Sequence, residues 1–201
     1  MLTMKTLNKR YIQGATLTEV MISVFVLTFG ILALMLTQIR SVASIAQAEN
    51  QTLIAQAAEA LAEGMQVNPT LNFKLVGSKK VLDIQYAAYK KSDAKMSDPK
   101  TFKKLSDLTS NSKQDLANLQ LDNFEAALQQ LPDIEQIHYS ICQDKETPDE
   151  PEMTAAGVFN DNCAGGSNLA NGAVIKVGWV MANASKQGEK TTFTYMLKVK
   201  G

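Results

Sequence analysis

The chain has 201 residues, with 20 Lys and Arg against 20 Asp and Glu, so its formal net charge is zero. That length admits one domain plus a long additional element, or at most two small domains. Balanced charge supplies no general electrostatic drive toward nucleic acid.

The N-terminal stretch carries the most information. Lys5, Lys9 and Arg10 precede Gly14 with no acidic residue among them, and Ala15-Thr16-Leu17-Thr18 then lead to a lone carboxylate at Glu19. From Val20 to Ile39 no residue is charged. At about 1.5 Å per helical residue this run reaches about 30 Å, the thickness of one bilayer core. Its hydroxyl-bearing members, Ser23, Thr28 and Thr37, can return their protons to the helix backbone and so cost little in lipid. A secretory signal peptide has its small-residue cut site after the hydrophobic region, whereas the only small-residue break before this span is Gly14.

A basic leader, Gly, four uncharged residues, Glu and then the apolar run resembles the class III leader of type IV pilins and pseudopilins. The resemblance implies that a prepilin peptidase cuts between Gly14 and Ala15 and methylates Ala15, which stands where many members have Phe. It also implies that Glu19, fifth in the mature chain, pairs with the terminal amine of a neighbouring subunit. The physics agrees, because a carboxylate at membrane depth costs roughly 2.5 to 3.5 kcal/mol and calls for a partner charge. The implied fold is α+β, the type IV pilin fold: a long N-terminal helix packed on a globular head with an antiparallel β-sheet. The expected division is a cleaved leader over 1–14, a helix over 15–68 that spans the membrane in 20–39, and a head over 69–201. Loss of the leader removes three basic residues, leaving the mature chain net acidic.

Beyond Arg40 the helix is expected to continue, since no Pro interrupts the chain before Asn68-Pro69 and Ala, Gln, Glu and Leu dominate. Ile54, Ala58, Leu61 and Met65 recur at helical spacing as one apolar stripe. Asn68-Pro69 is the expected stop, and Gly30 the interior residue that loosens the helix. Residues 70–111 show no persistent helical or strand period. Residues 79–113 hold nine Lys against four Asp, which suits either a phosphate-tracking face or a solvated connection. The interruption by Asp83, Asp93, Asp98 and Asp107 favours the connection. A second helix is expected over 112–131, where Leu116, Leu119, Phe124 and Leu128 hold helical spacing and Pro132 closes it. Period-two patterns then mark three strands, over 137–142, 174–181 and 192–200, the last two joined by a longer loop at 183–190. An antiparallel sheet with one buried face follows, with Trp179 and Phe193 in the core.

Cys142 and Cys163 are expected to form a disulfide, because an exported head meets an oxidising compartment. Closing that loop contributes about 3 kcal/mol in the chain-entropy model. A metal pair is the alternative, with His138 four residues before Cys142 but no further ligand cluster. The loop over 142–163 has six acidic residues and one Lys, without the ligand ladder of a known calcium loop. In the pilin family a disulfide-bounded C-terminal segment forms much of the partner-contacting surface, and this loop resembles it.

No catalytic motif is present, and the lone His138 alternates with Ile137 and Tyr139 in a predicted strand, so neither enzyme activity nor a cofactor is expected. The resemblance narrows to the PilV group of minor pilins. It does so on Thr18-Glu19-Val20, Leu27 to Leu34, Gln38 to Ser44 and Glu63-Gly64-Met65-Gln66-Val67-Asn68-Pro69-Thr70, and more sparsely on Ile137 to Cys142 and Ile175 to Val180. It implies a low-abundance subunit that starts filament assembly at the tip. Its expected partners are the peptidase, other minor pilins, the major pilin and the inner-membrane assembly platform, with no nucleic acid. The expected location is the bacterial inner membrane, head in the periplasm, and then the cell-surface pilus. A type II secretion pseudopilin is the nearer rival. An adhesin or DNA receptor using residues 79–113 or the acidic loop is the alternative from another class.

Overall fold

The structure, a computed structural model, describes residues 17–96, 98–108, 110, 112–165, 169, 172–182 and 188–199. The expected cleavage and methylation positions, Gly14 and Ala15, lie outside the described residues, as does most of the predicted 183–190 loop. The chain divides into two compact units, Met1–Val42 and Ala43–Gly201.

Helix α1 runs from Leu17 to Val67 and belongs to both units. Gly30 does not interrupt it, and it ends one residue before Asn68-Pro69, as the restriction on a residue preceding Pro requires. Asn68 N–H closes the last turn on the Met65 carbonyl at 3.1 Å. In the first unit every described residue is exposed. In the second unit the Ile54, Ala58, Leu61 and Met65 stripe is buried.

The chain then forms a hairpin of β1 (Thr70–Val76) and β2 (Lys79–Gln85), followed by β3 (Lys91–Lys95), α2 (Lys113–Gln129) and β4 (Ile134–Cys142). Two short strands, β5 (Glu152–Met153) and β6 (Phe159–Asn160), lie inside the loop closed by the cysteines, and β7 (Ala173–Ala182) and β8 (Lys190–Val199) complete the head. The main sheet has the order β3-β4-β7-β8 and is antiparallel throughout. Helix α2 begins at Lys113 because the Ser112 hydroxyl caps it, accepting from the Asp115 N–H at 3.1 Å.

The register Ile137↔Trp179, Tyr139↔Val177 and Ile141↔Ile175 places these six residues on one face. That face, the α1 stripe and Leu121, Phe124 and Leu128 of α2 form one core. Trp179 stacks on Phe193 with centroids 5.6 Å apart, and Phe124 meets Tyr139 edge-on at 5.2 Å. The expectation of a single buried face requires correction at β7, which is buried on both sides from Ala173 to Met181. Its second face is covered by β5 and β6, where Met153 and Phe159 pack on Val180. Gly178 makes that cover possible, since a Cβ there would stand 2.7 Å from Phe159 Cδ2.

Candidate functional site

Among the parts of the described chain that do not fill the core are the exposed N-terminal part of α1 and the acidic face of the loop between Cys142 and Cys163. From Val20 to Ile39 the helix carries no charge and exposes its Val, Ile, Leu, Met and Phe side chains all round. It is long and apolar enough to cross a bilayer. Inside it, Thr28 donates to the Phe25 carbonyl at 2.8 Å, Thr37 to the Leu34 carbonyl at 2.7 Å, and Ser23 to the Glu19 carbonyl. Each hydroxyl is thereby satisfied without water. Glu19 lies in the first turn of α1, exposed, where a carboxylate complements the positive helix terminus.

The second feature is built from β4 and β7. Cys142, the last residue of β4, is bonded to Cys163, with their Cα atoms 6.2 Å apart. The loop between them is folded back onto the sheet by a cation that alternation had assigned to a solvent face. Lys176 lies on the second face of β7 with its side chain fully buried, and its ammonium bonds the equally buried Asp144 carboxylate. The same ammonium donates to the carbonyls of Asp161 at 2.8 Å and Asn162 at 3.2 Å. Its three protons therefore have three acceptors, all from the loop. Beside it Ser140 donates to the Asp161 carboxylate at 2.5 Å, and at the rim Lys198 donates to the Glu146 carbonyl at 2.7 Å. Burial pushes the Asp144 carboxyl up, but the bonds from Lys176 and from the Lys145 backbone N–H outweigh it. The group is held below its ordinary value of 3.8.

What this clamp leaves outside is acidic. Glu146, Glu150 and Glu152 are exposed, as is Asp149, which pairs with Lys145 at 2.9 Å. His138 is nearly covered, with Nδ1 2.7 Å from Asp93 Oδ1 and its ring 5.9 Å from Phe159. Among the described residues no three His, Cys, Asp or Glu side chains converge.

The Lys-rich stretch is less free than its count implies. Lys100 and Lys103 reach Asp122 of α2 at 2.9 and 2.5 Å, and Lys100 lies 3.6 Å from Glu125. Burial raises the Asp122 carboxyl, yet the two ammonium groups hold it below its ordinary value. The Tyr139 phenol is pushed well up, first by burial and then by its bond to Glu125.

Sequence reasoning missed Lys176 and the hairpin. For Lys176 the signal was the lopsided charge of the loop, whose buried Asp144 needs a cation from elsewhere. For the hairpin it was the alternation of Leu71, Phe73 and Leu75 before Gly77-Ser78, with Gly77 at φ +64° in the turn. The chain matches no family model, no curated protein and no solved structure.

Proposed function

We propose that this chain is a type IV pilin-like subunit, specifically a minor pilin of the PilV group, which waits in the inner membrane and enters a filament. The observation that carries the reading is the sequence Gly14 to Arg40 running into α1. A leader-like break and one carboxylate precede an uncharged, fully exposed helix, and the same helix supplies the core stripe of the head. An apolar helix of this kind is soluble only in lipid or in a bundle of its own kind, and a subunit extracted from membrane to filament meets both in turn. The braced acidic loop would then be the face turned to neighbouring subunits at the tip.

Glu19 would pair with the terminal amine of the adjacent subunit and set the axial register of the helices. The test is complementation of a strain lacking the protein, scored as pili recovered by shearing. The wild-type chain should restore them. Glu19→Ala should be processed normally yet restore few, and normal piliation with Glu19→Ala would defeat the pairing role. A secretion defect with pili intact would assign the chain to the secretion pseudopilins instead.

A further inference from the structure

The hairpin β1–β2 is anchored at its base, where half-buried Ile84 packs against the core, and beyond that it projects, with every residue from Leu71 to Leu82 exposed. The register of Leu71 opposite Ile84 and Phe73 opposite Leu82 puts the exposed Leu71, Phe73, Leu75 and Leu82 on one face, the one that Ile84 continues toward the core. Phe73 is 75% exposed and Leu75 66%. The other face is not purely polar, because Val76 and Val81 are exposed on it as well. The charges are distributed in the same way. Lys80 shares the Leu75 face, while Lys74 and Lys79 lie on the opposite one. None of the three forms an ion pair among the described residues. The hairpin's one carboxylate, Asp83, is engaged by Gln85 at 2.6 Å.

We propose that this hairpin is a membrane-contacting element whose tip enters the interface of an anionic phospholipid bilayer. The apolar side chains would bury among the acyl chains, and Lys74, Lys79 and Lys80 would reach the headgroups. Three observations favour lipid over a protein partner. Apolar and basic side chains surround the tip on both faces, which suits a medium that envelops it, whereas a docking protein covers one side. The three lysines outnumber the hairpin's one carboxylate and match an anionic surface, with long lysine stems able to keep their ammonium groups in water. The footprint is small: a strand of this length extends about 24 Å and two strands are about 10 Å wide, roughly 240 Å² against the ~800 Å² per partner of a stable protein interface. Insertion of a few apolar side chains assisted by basic ones needs no such area. The proposal does not rest on the filament reading.

The test uses the full chain with Phe73→Trp, reconstituted in nanodiscs of phosphatidylglycerol or of phosphatidylcholine. Vesicles of the same headgroup are added, with brominated acyl chains in both compartments. Phe73 is exposed, so the substitution leaves the core alone. The one native Trp, Trp179, is fully buried and its constant signal can be subtracted using the parent chain. Emission from position 73 should shift to the blue and be quenched in phosphatidylglycerol. Adding Lys74→Gln, Lys79→Gln and Lys80→Gln should weaken the contact about a hundredfold. Solvent-like emission in both lipids would overturn the proposal, as would equal quenching by the two headgroups. A blue shift that grows with protein density without vesicles would overturn it in favour of contact between chains.

Discussion

The Lys176 clamp is the feature whose removal should cost most for the fewest atoms changed. Lys176→Met keeps the apolar stem as far as Cε and removes the ammonium, stranding the Asp144 carboxylate and the carbonyls of Asp161 and Asn162. Breaking a buried pair by deleting one partner costs about 3 to 5 kcal/mol, because the other charge remains without compensation. For a chain of this size each kcal/mol moves the melting temperature by about 2 to 4 °C, so the drop should be about 6 to 20 °C. The double substitution Lys176→Met with Asp144→Leu removes the stranded charge and should recover most of that loss. It should stay below the parent, because the half-buried carbonyls of Asp161 and Asn162 each lose a charged donor, though at that exposure water can replace part of it. Trp179 lies on the same strand, so its fluorescence during thermal unfolding in detergent micelles reports the change.

The pH dependence has a definite sign. Asp144 titrates below 3.8 in the folded chain, so its contribution is complete above that value and is lost as pH falls through the lowered one. Acid destabilisation below about pH 4 should therefore be shallower in the double variant than in the parent. Lys176→Met melting within about 1 °C of the parent would refute the reasoning.

Three further outcomes follow from the same packing. Gly178→Ala should displace Phe159 and lift the β5–β6 cover, at about 1 to 3 kcal/mol, visible as faster amide exchange in residues 152–160 with α2 unaffected. Cys142→Ser with Cys163→Ser should cost about 3 kcal/mol, measured as a lower melting temperature that the parent reproduces under reductant. Leu61→Ala, in the buried stripe of α1, should cost about 2 to 5 kcal/mol, whereas Leu34→Ala, exposed in the first unit, should leave the melting of the head unchanged.

Much of this fold was legible in the residues, and the reason differs from element to element. The stripe Ile54, Ala58, Leu61, Met65 and the stop at Asn68-Pro69 are local facts, one of periodicity and one of sterics, so they survive in the structure almost unchanged. The strands β4, β7 and β8 were likewise written in alternation, although each begins one to three residues before its predicted start. The second face of β7 was not legible. Lys176 alternates with Ile175 and Val177 as a solvent-facing residue would, and only the return of a loop more than ten residues away turns that position into a buried one. Similarly, Lys100 and Lys103 were read as part of a solvated connection because their partner Asp122 lies on the next helix. The hairpin was marked only by the short alternation of Leu71, Phe73 and Leu75 before Gly77, which the lysines and Val81 of β2 do not continue.

The most direct test of the membrane-to-filament account is the intact N-terminal mass of the protein extracted from membranes, in cells with and without a functional prepilin peptidase. A chain beginning at Ala15, about 14 Da heavier when methylated, is expected only where the peptidase is active. A chain that still begins at Met1 in both backgrounds would contradict the account and leave an anchored head with no path into a filament.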